Sequence, residues 1–244
     1  MKACQKQVES QQMKGATMEK KCDVLARIYL LHDEYTHGHG AVCEKGCASC
    51  CTCNVTMTSL EYAFVMDGMG ELEKIKLAQK VDQGRSARRF QPEYTINSMA
   101  ARCLEGREIP EEENDPAWGQ CPLLQQGACT IYEKRPLGCR MLISQVTCQK
   151  VGYARMPPFV LTLNNLFQQV VEHMDARGTS GNLTDMILWQ AESGHKDALS
   201  PLPAYILNNC RAPVFMVPPE HQEQIRPLMM KLSALMENRQ QPLS

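Results

Sequence analysis

The segment from Cys43 to Cys53, CEKGCASCCTC, places five cysteines within eleven residues, and the residues between them are small or polar. Thiolate sulfur is a soft ligand that suits zinc, copper(I) and iron–sulfur clusters. Because only two residues separate Cys47 from Cys50, a tight turn can aim both sulfurs at one ion. We therefore interpret this segment as one half of a metal–thiolate site.

A second group of cysteines supplies further ligands. The group comprises Cys121, Cys129, Cys139 and Cys148. The stretch from Cys121 to Tyr132, CPLLQQGACTIY, contains two short apolar runs around Gln-Gln-Gly, which predicts a β-hairpin. Such a hairpin would bring Cys121 close to Cys129, and Cys139 follows a proline-containing turn. We expect these thiols and the first segment to converge on one inorganic centre, with Cys148 as an additional candidate.

The adjacent pair Cys50 and Cys51 helps to distinguish a single metal ion from a cluster or two ions. On a helix, Cys43, Cys47 and Cys50 would share one face, whereas neighbouring side chains diverge by about 100°. On a strand, neighbouring side chains point to opposite faces. The pair is therefore not expected to serve one ion together: one thiol is spare, or each faces a different metal or a different corner of a cluster. A zinc ion and a cubane cluster each need about four ligands, so the surplus favours a cluster or two ions.

The remaining candidate residues are interpreted more simply. Four thiols are treated as ordinary thiols rather than ligands: Cys4, Cys22, Cys103 and Cys210. His37 and His39 lie in a polar loop after a helix. Arg135 and Arg140 flank Cys139, where a guanidinium would lower thiol pKa values and offset thiolate charge, or would bind a backbone carbonyl. Trp118 either shields the centre from water or serves as a packing residue.

Composition limits the class of protein. The 244 residues include 26 basic and 27 acidic side chains, and this balance argues against a general binder of nucleic acid. The N-terminus lacks an apolar run of signal-peptide length, and no stretch approaches 18 consecutive apolar residues. We therefore expect a cytoplasmic protein without a membrane segment. A cytosolic chain rich in cysteine usually binds metal or performs redox chemistry rather than forming structural disulfides.

Several helices are predicted in the first part of the chain. Apolar residues recur at helical spacing from Met18 to about Tyr35. Thr58 and Glu61 form a capping-box pattern that predicts a short helix beginning there. A charged helix is predicted from Glu71 to Phe90, and another from Pro92, a favourable first helical residue, to Glu105.

The second part of the chain is also predicted to be helical. A long helix opens at Pro157–Pro158, and a shorter one covers about Leu183–Ser193. A proline-rich connector at 201–219 precedes a last helix at about Glu220–Asn238, with a kink at Pro227. The expected fold is mostly α: a helical domain with a small β-hairpin and irregular cysteine-rich metal-binding loops.

We expect three regions along the chain. Residues 1–17 form a flexible N-terminus, and residues 18–156 form the cysteine-rich metal-binding domain. Residues 157–244 form a C-terminal helical region that packs on that domain.

The spacing of the cysteines resembles that of a known family. The pieces Cys43-x3-Cys47-x2-Cys50-Cys51, Cys121-Pro-Leu-Leu, Gly127-Ala-Cys129-Thr-Ile-Tyr and Arg135-Pro-Leu-Gly-Cys139-Arg resemble the CxxCxxCC-type zinc- or iron-chelating domain proteins. Flagellin lysine N-methylases share a similar module, and many members are labelled iron–sulfur oxidoreductases. The resemblance implies a metal-binding set of Cys43, Cys47, Cys50, Cys51, Cys121, Cys129 and Cys139. Cys53 and Cys148 match the pattern less closely.

Three functions follow as hypotheses. The first is an iron–sulfur protein, with a [4Fe-4S] cluster used for redox chemistry, sensing or structure. The second is a structural zinc-binding protein. The third is an enzyme similar to the lysine N-methylases, with the metal as a scaffold and a protein as its partner. The sequence contains neither a GxGxxG loop nor a convincing nucleophile–base pair. This absence argues against enzymatic activity without excluding it.

Overall fold

α-Helices make up most of the described part of the chain, which in this computed structural model covers residues 2–193 and 201–237, with side chains for 18–192 and 201–237. The helices are α1 Lys2–His37, α2 Ser59–Met66, α3 Glu71–Asp82, α4 Ile96–Leu104, α5 Leu137–Arg140, α6 Cys148–Val151, α7 Pro158–Met174, α8 Leu183–Ser193 and α9 Gln222–Glu237. The mostly helical fold is confirmed. None of these helices has the length and apolar character needed to cross a membrane.

Five short strands form two antiparallel sheets. They are β1 Thr56–Thr58, β2 Leu124–Gln125, β3 Ala128–Cys129, β4 Thr179–Asn182 and β5 Ile206–Asn208. Strands β2 and β3 form the predicted hairpin, whereas β1, β4 and β5 form a three-stranded sheet in the order β1-β4-β5 that was not predicted. Strands of three or four residues are too short to show an alternating pattern, and β5 lies within the segment interpreted as a connector.

Three helix boundaries differ from the predictions. Helix α1 begins at Lys2 rather than Met18, because its first turns are rich in polar residues of high helix propensity that carry no amphipathic signal. Helix α3 ends at Asp82 rather than Phe90, and the Arg89 guanidinium instead donates to carbonyls of the loop that follows. Helix α4 begins only at Ile96, because the Thr95 hydroxyl caps it by accepting from the Ser98 N–H.

Two hydrophobic clusters form the core. The first joins α1, α2, α7 and α9 through residues such as Leu25, Ile28, Leu60, Leu163, Phe167 and Leu228. The second joins β1, α3, the hairpin and α8 through residues such as Met57, Val81, Leu123, Ile131, Met186 and Ile187. Helix α2 contributes to both clusters, so it connects the helical core to the region that carries the cysteines.

The predicted capping box at the start of α2 is present. The Glu61 N–H donates to Thr58 Oγ1 at 3.2 Å, and the Thr58 N–H donates to Glu61 Oε2 at 2.7 Å. Glu61 Oε1 also accepts from the Tyr29 hydroxyl at 2.8 Å and from the Leu137 N–H at 2.7 Å. Burial raises the pKa of Glu61, while its hydrogen bonds to Thr58 and Leu137 lower it. One buried carboxylate therefore joins α1, α2 and α5.

Replacing Glu61 should destabilise the fold much more than replacing Glu73. Glu61→Gln puts an amide N–H2 where a carboxylate oxygen accepts from buried donors, so we expect the free energy of unfolding to fall by about 2–3 kcal/mol. Glu73 occupies the same position in α3, but it is exposed and accepts only from the Gly70 N–H. Glu73→Gln should cost less than about 0.5 kcal/mol. Urea denaturation measures both, and equal losses would contradict this role of Glu61.

Candidate metal centre

The two cysteine segments lie side by side although about 70 residues separate them in sequence. The Cys121 N–H donates to the Cys51 carbonyl at 2.9 Å, and the Cys53 N–H donates to the Gly119 carbonyl at 3.0 Å. An antiparallel β-bridge joins Thr52 to Gln120 between these two bonds. Backbone pairing thus brings the two groups of thiols together.

The first segment is a series of turns rather than a helix. The Cys47 N–H donates to the Glu44 carbonyl at 3.1 Å, and the Cys51 N–H donates to the Ala48 carbonyl at 3.1 Å. Gly46 is the third residue of the first turn and has φ of 97°, a conformation that glycine adopts readily and that interrupts a helix. The helical arrangement considered for Cys43, Cys47 and Cys50 is therefore wrong.

The hairpin presents the second group of thiols. Its two-residue turn places Gln126 at φ 49° and Gly127 at φ 77°, as in a type I′ turn, whose twist matches that of the flanking strands. Leu124 pairs with Cys129 across the strands, and Cys121 lies three residues before Leu124. The predicted hairpin is confirmed.

Helix α5 carries Cys139 and lies tightly against β1. A Cβ atom added to Gly138 would lie 2.7 Å from the Thr56 carbonyl oxygen and 2.9 Å from Val55 Cγ1. Only glycine allows this approach, and the Glu61 carboxylate holds the first N–H of the helix. Cys139 is consequently fixed from two sides.

One cavity of about 120 Å3 collects the candidate ligands. Seven cysteines line it: Cys43, Cys47, Cys50, Cys51, Cys121, Cys129 and Cys139. Over residues 18–192 and 201–237, no three Cys, His, Asp or Glu side chains form a ready-made site for a single metal ion. The seven thiols surround a shared space instead. They are the same seven that the sequence motifs indicated.

Cys53 and Cys148 lie outside this cavity. The Cys53 thiol is buried and donates to the Arg88 carbonyl at 3.5 Å, in the loop after α3. Cys148 lines a neighbouring groove, to which Cys50 also contributes.

Mutual electrostatic effects divide the seven thiols into two groups. Burial raises the pKa of Cys139, and the charges of Cys121, Cys129 and Cys51 raise it further. We call these four the inner group: Cys51, Cys121, Cys129 and Cys139. Cys43 and Cys47 instead influence Cys50, and these three form the outer group. The adjacent thiols of Cys50 and Cys51 shift each other's pKa in opposite directions, which links the two groups.

Family comparison agrees with this geometry. Residues 42–157 match the model of the CxxCxxCC family, which is described as a candidate zinc- or iron-chelating domain. We name residues 42–157 the CxxCxxCC domain after this match. The matched segment begins shortly after the end of α1 and ends at residue 157, which directly precedes α7. Comparisons with curated proteins and with solved structures gave no match. The resemblance seen in the motifs is confirmed, and the chemistry associated with this domain is chelation of zinc or iron.

Burial keeps most thiols of the CxxCxxCC domain protonated in the absence of metal. It raises the pKa of Cys121 to about 11 and also raises the pKa of Cys129. Cys51 differs, because its interaction with Cys50 and the Arg135 charge together lower its pKa to about 7 despite burial. Since thiolates are the metal-binding form, loading the inner group must release protons.

The two arginines near Cys139 have different roles. The Arg140 guanidinium donates to Asp33 Oδ2 at 2.7 Å, to the Glu133 carbonyl at 3.0 Å and to the Arg135 carbonyl at 3.1 Å. It therefore ties the Cys139 segment to α1. The Arg135 guanidinium stacks on Tyr132 at 4.0 Å, and both arginines line the cavity. The positive charge of Arg135 lowers the pKa of several of these thiols, including Cys51 and Cys139.

A backbone N–H also reaches a sulfur of the CxxCxxCC domain. The Ser144 N–H donates to Cys43 Sγ at 3.2 Å, and the Val42 N–H donates to the Ser144 carbonyl at 2.9 Å. The sequence does not reveal this contact, because 101 residues separate Ser144 from Cys43 and nothing in its surroundings marks it.

The other residues considered from sequence lie in varied settings. His37 lines the cavity, whereas His39 packs against Phe159 with ring centroids 4.7 Å apart. Trp118 contacts Arg88 at 4.2 Å and does not line the cavity. Of the four thiols treated as ordinary, Cys22 is buried in the helical core, Cys103 is exposed, Cys210 is part-buried, and the Cys4 side chain lies outside the described residues.

Gly138→Ala should loosen the metal centre. The added methyl group would collide with the backbone of β1, so we expect a loss of about 1–3 kcal/mol in unfolding free energy and faster reaction of Cys139 with a thiol reagent. Gly84 provides the control, because its added Cβ would meet its nearest atoms at 3.6 and 3.8 Å, which is ordinary contact. Gly84→Ala should change both quantities little, and a similar effect at both glycines would contradict the steric argument.

Proposed function

We propose that the CxxCxxCC domain of this protein holds an iron–sulfur cluster, of the [4Fe-4S] type, in the cysteine cavity. The observation that carries the proposal is the lining of a single cavity by seven thiols from two distant segments. One closed zinc site uses about four ligands, so seven thiols exceed its need. The bound cluster would supply one-electron redox chemistry, sensing or structural cross-linking.

The inner group is the best candidate for the ligands of a cubane cluster. Four thiolates complete such a cluster, and Cys51, Cys121, Cys129 and Cys139 act on one another electrostatically. Backbone pairing, the hairpin and α5 each position part of this group. The outer group of Cys43, Cys47 and Cys50 supplies the surplus that favours a cluster or a second ion over one zinc.

The surroundings of the cavity suit an anionic centre. Arg135 brings a positive charge to the cavity wall, and the Ser144 N–H donates to a sulfur. Hydrogen bonds to sulfur, burial and nearby charge are the features by which proteins set the potential of such clusters. These contacts support a centre whose thiols are deprotonated when it is loaded.

Zinc is the second candidate, because the family description names it beside iron. A zinc ion on the inner group would be closed and tetrahedral, and it would serve to stabilise the fold. The outer thiols would then remain free or would hold a second ion. The two candidates differ in colour as well as in metal content.

Protein purified without oxygen should be brown, with broad visible absorption, and should contain iron and acid-labile sulfide in equal amounts. Elemental analysis and an anaerobic spectrum provide the measurement. A colourless protein with stoichiometric zinc would contradict the cluster and support the zinc site instead. A protein with neither metal, even after anaerobic reconstitution, would refute the proposal.

Cysteine substitutions should separate ligands from other thiols. Cys129→Ser and Cys47→Ser both remove a thiol from the cavity, so each should lower metal content, with the larger loss at Cys129 because it belongs to the inner group. The melting temperature should fall as well, because binding energy at such a centre is also folding energy. Cys210→Ser is the matched control, because Cys210 is a part-buried thiol outside the cavity. Full metal content in both cavity variants would show that the ligand assignment is wrong.

A further inference from the structure

Lys80 carries a buried positive charge without a visible partner. Its Nζ atom is shielded from solvent and has no hydrogen-bond partner among the described residues. The only other such buried side-chain atom in the described part of the chain is the neutral hydroxyl oxygen of Thr179. Burying an unpaired ammonium is costly, so an anion is expected near it in the functional state.

The position of Lys80 points to the source of that anion. Lys80 lies in the last turn of α3, where the neighbouring Val81 packs into the core cluster that also contacts Cys121 and Cys129. A Cβ added to Gly84, just beyond the helix, would lie 3.8 Å from Pro122 Cβ. This end of α3 therefore rests on the segment that carries the inner group.

The carboxylates of α3 do not supply the missing charge. Glu71 pairs with Lys74, Glu73 accepts from the Gly70 N–H, and Asp82 pairs with Arg85. Burial raises the pKa of Cys129, and the charge of Lys80 is among the effects that lower it. On α8, which packs against α3, Asp185 pairs with Arg89 and Glu192 pairs with Arg85. The Cys129 thiol on the hairpin is thus a group on which the Lys80 charge acts.

We propose that Lys80 is the buried counter-charge of the metal–thiolate centre and stabilises the anionic inner group. The proposal rests on the proposed function, since it requires metal in the cavity. Four thiolates around one Zn2+ ion leave two negative charges, as do four thiolates around a [4Fe-4S]2+ core. A nearby ammonium offsets part of that charge in a region where water does not screen it.

A second explanation of Lys80 makes the opposite prediction for the metal-free protein. A cation in the last turn of a helix interacts favourably with the helix dipole. If that were its role, Lys80→Met would lower the melting temperature with and without metal. As a counter-charge, Lys80 instead costs stability when the thiols are neutral and contributes stability when they are bound to metal.

The test compares Lys80→Met with Lys76→Met, which removes an exposed lysine from the same helix. Metal-free protein is prepared with a chelator and a reductant, and Zn2+ affinity is measured by competition with a chelating dye. Lys80→Met should raise the melting temperature of the metal-free protein by about 3 °C or more and weaken Zn2+ binding about tenfold. Lys76→Met should change neither, and Lys80→Arg should restore the affinity.

The outcomes distinguish the two proposals. Failure of the wild-type protein to bind Zn2+ or iron would refute the proposed function itself. Normal binding by the wild type together with unchanged affinity in Lys80→Met would refute the counter-charge alone. A lower melting temperature of metal-free Lys80→Met would also overturn it, in favour of the helix-dipole explanation.

Discussion

The buried carboxylate of Glu61 is the interaction on which the geometry of the candidate site depends. It accepts from Tyr29 on α1, from the N-terminal backbone of α2 and from the first N–H of α5. Because α5 carries Cys139, the same side chain that begins α2 also fixes one thiol of the inner group. The helical core and the metal centre thus share a single buried acceptor, and neither can shift without affecting the other.

The positively charged side chains near the thiols have two different roles: some hold the fold together, and others offset the charge of the thiolates. Arg140 uses its guanidinium to hold Asp33 and two backbone carbonyls, so its hydrogen bonds belong to the fold. Arg135 acts on the thiols from the cavity wall, and Lys80 lies in the last turn of α3 with a buried ammonium. On the counter-charge proposal, an anionic centre offsets this ammonium, whereas neutral thiols leave it uncompensated.

Local features of the fold could be predicted from sequence because their signals are local. The capping box needs only Thr58 and Glu61, the hairpin needs the Gln-Gly turn at Gln126, and the cysteine spacing is read directly. The sheet of β1, β4 and β5 could not be predicted, since its strands have only three or four residues and β1 pairs with β4 across more than 100 residues. The sulfur contact of Ser144 and the position of Lys80 depend on the same long-range packing.

The short elements that form the cavity walls explain why metal binding should stabilise the fold of this protein. They consist of turns around Gly46, a hairpin with two residues in each strand and the single turn of α5. Such elements bury little apolar surface and form few backbone hydrogen bonds, so they gain little stability by themselves. The helical cluster around Phe167 is built mainly from α1, α2, α7 and α9, and α5 contributes only Leu137 to its buried residues. Bonds from the metal to the first segment, the hairpin and α5 would therefore stabilise the part of the chain that has least support of its own. The metal centre is then a structural element of the fold, whatever further chemistry it performs.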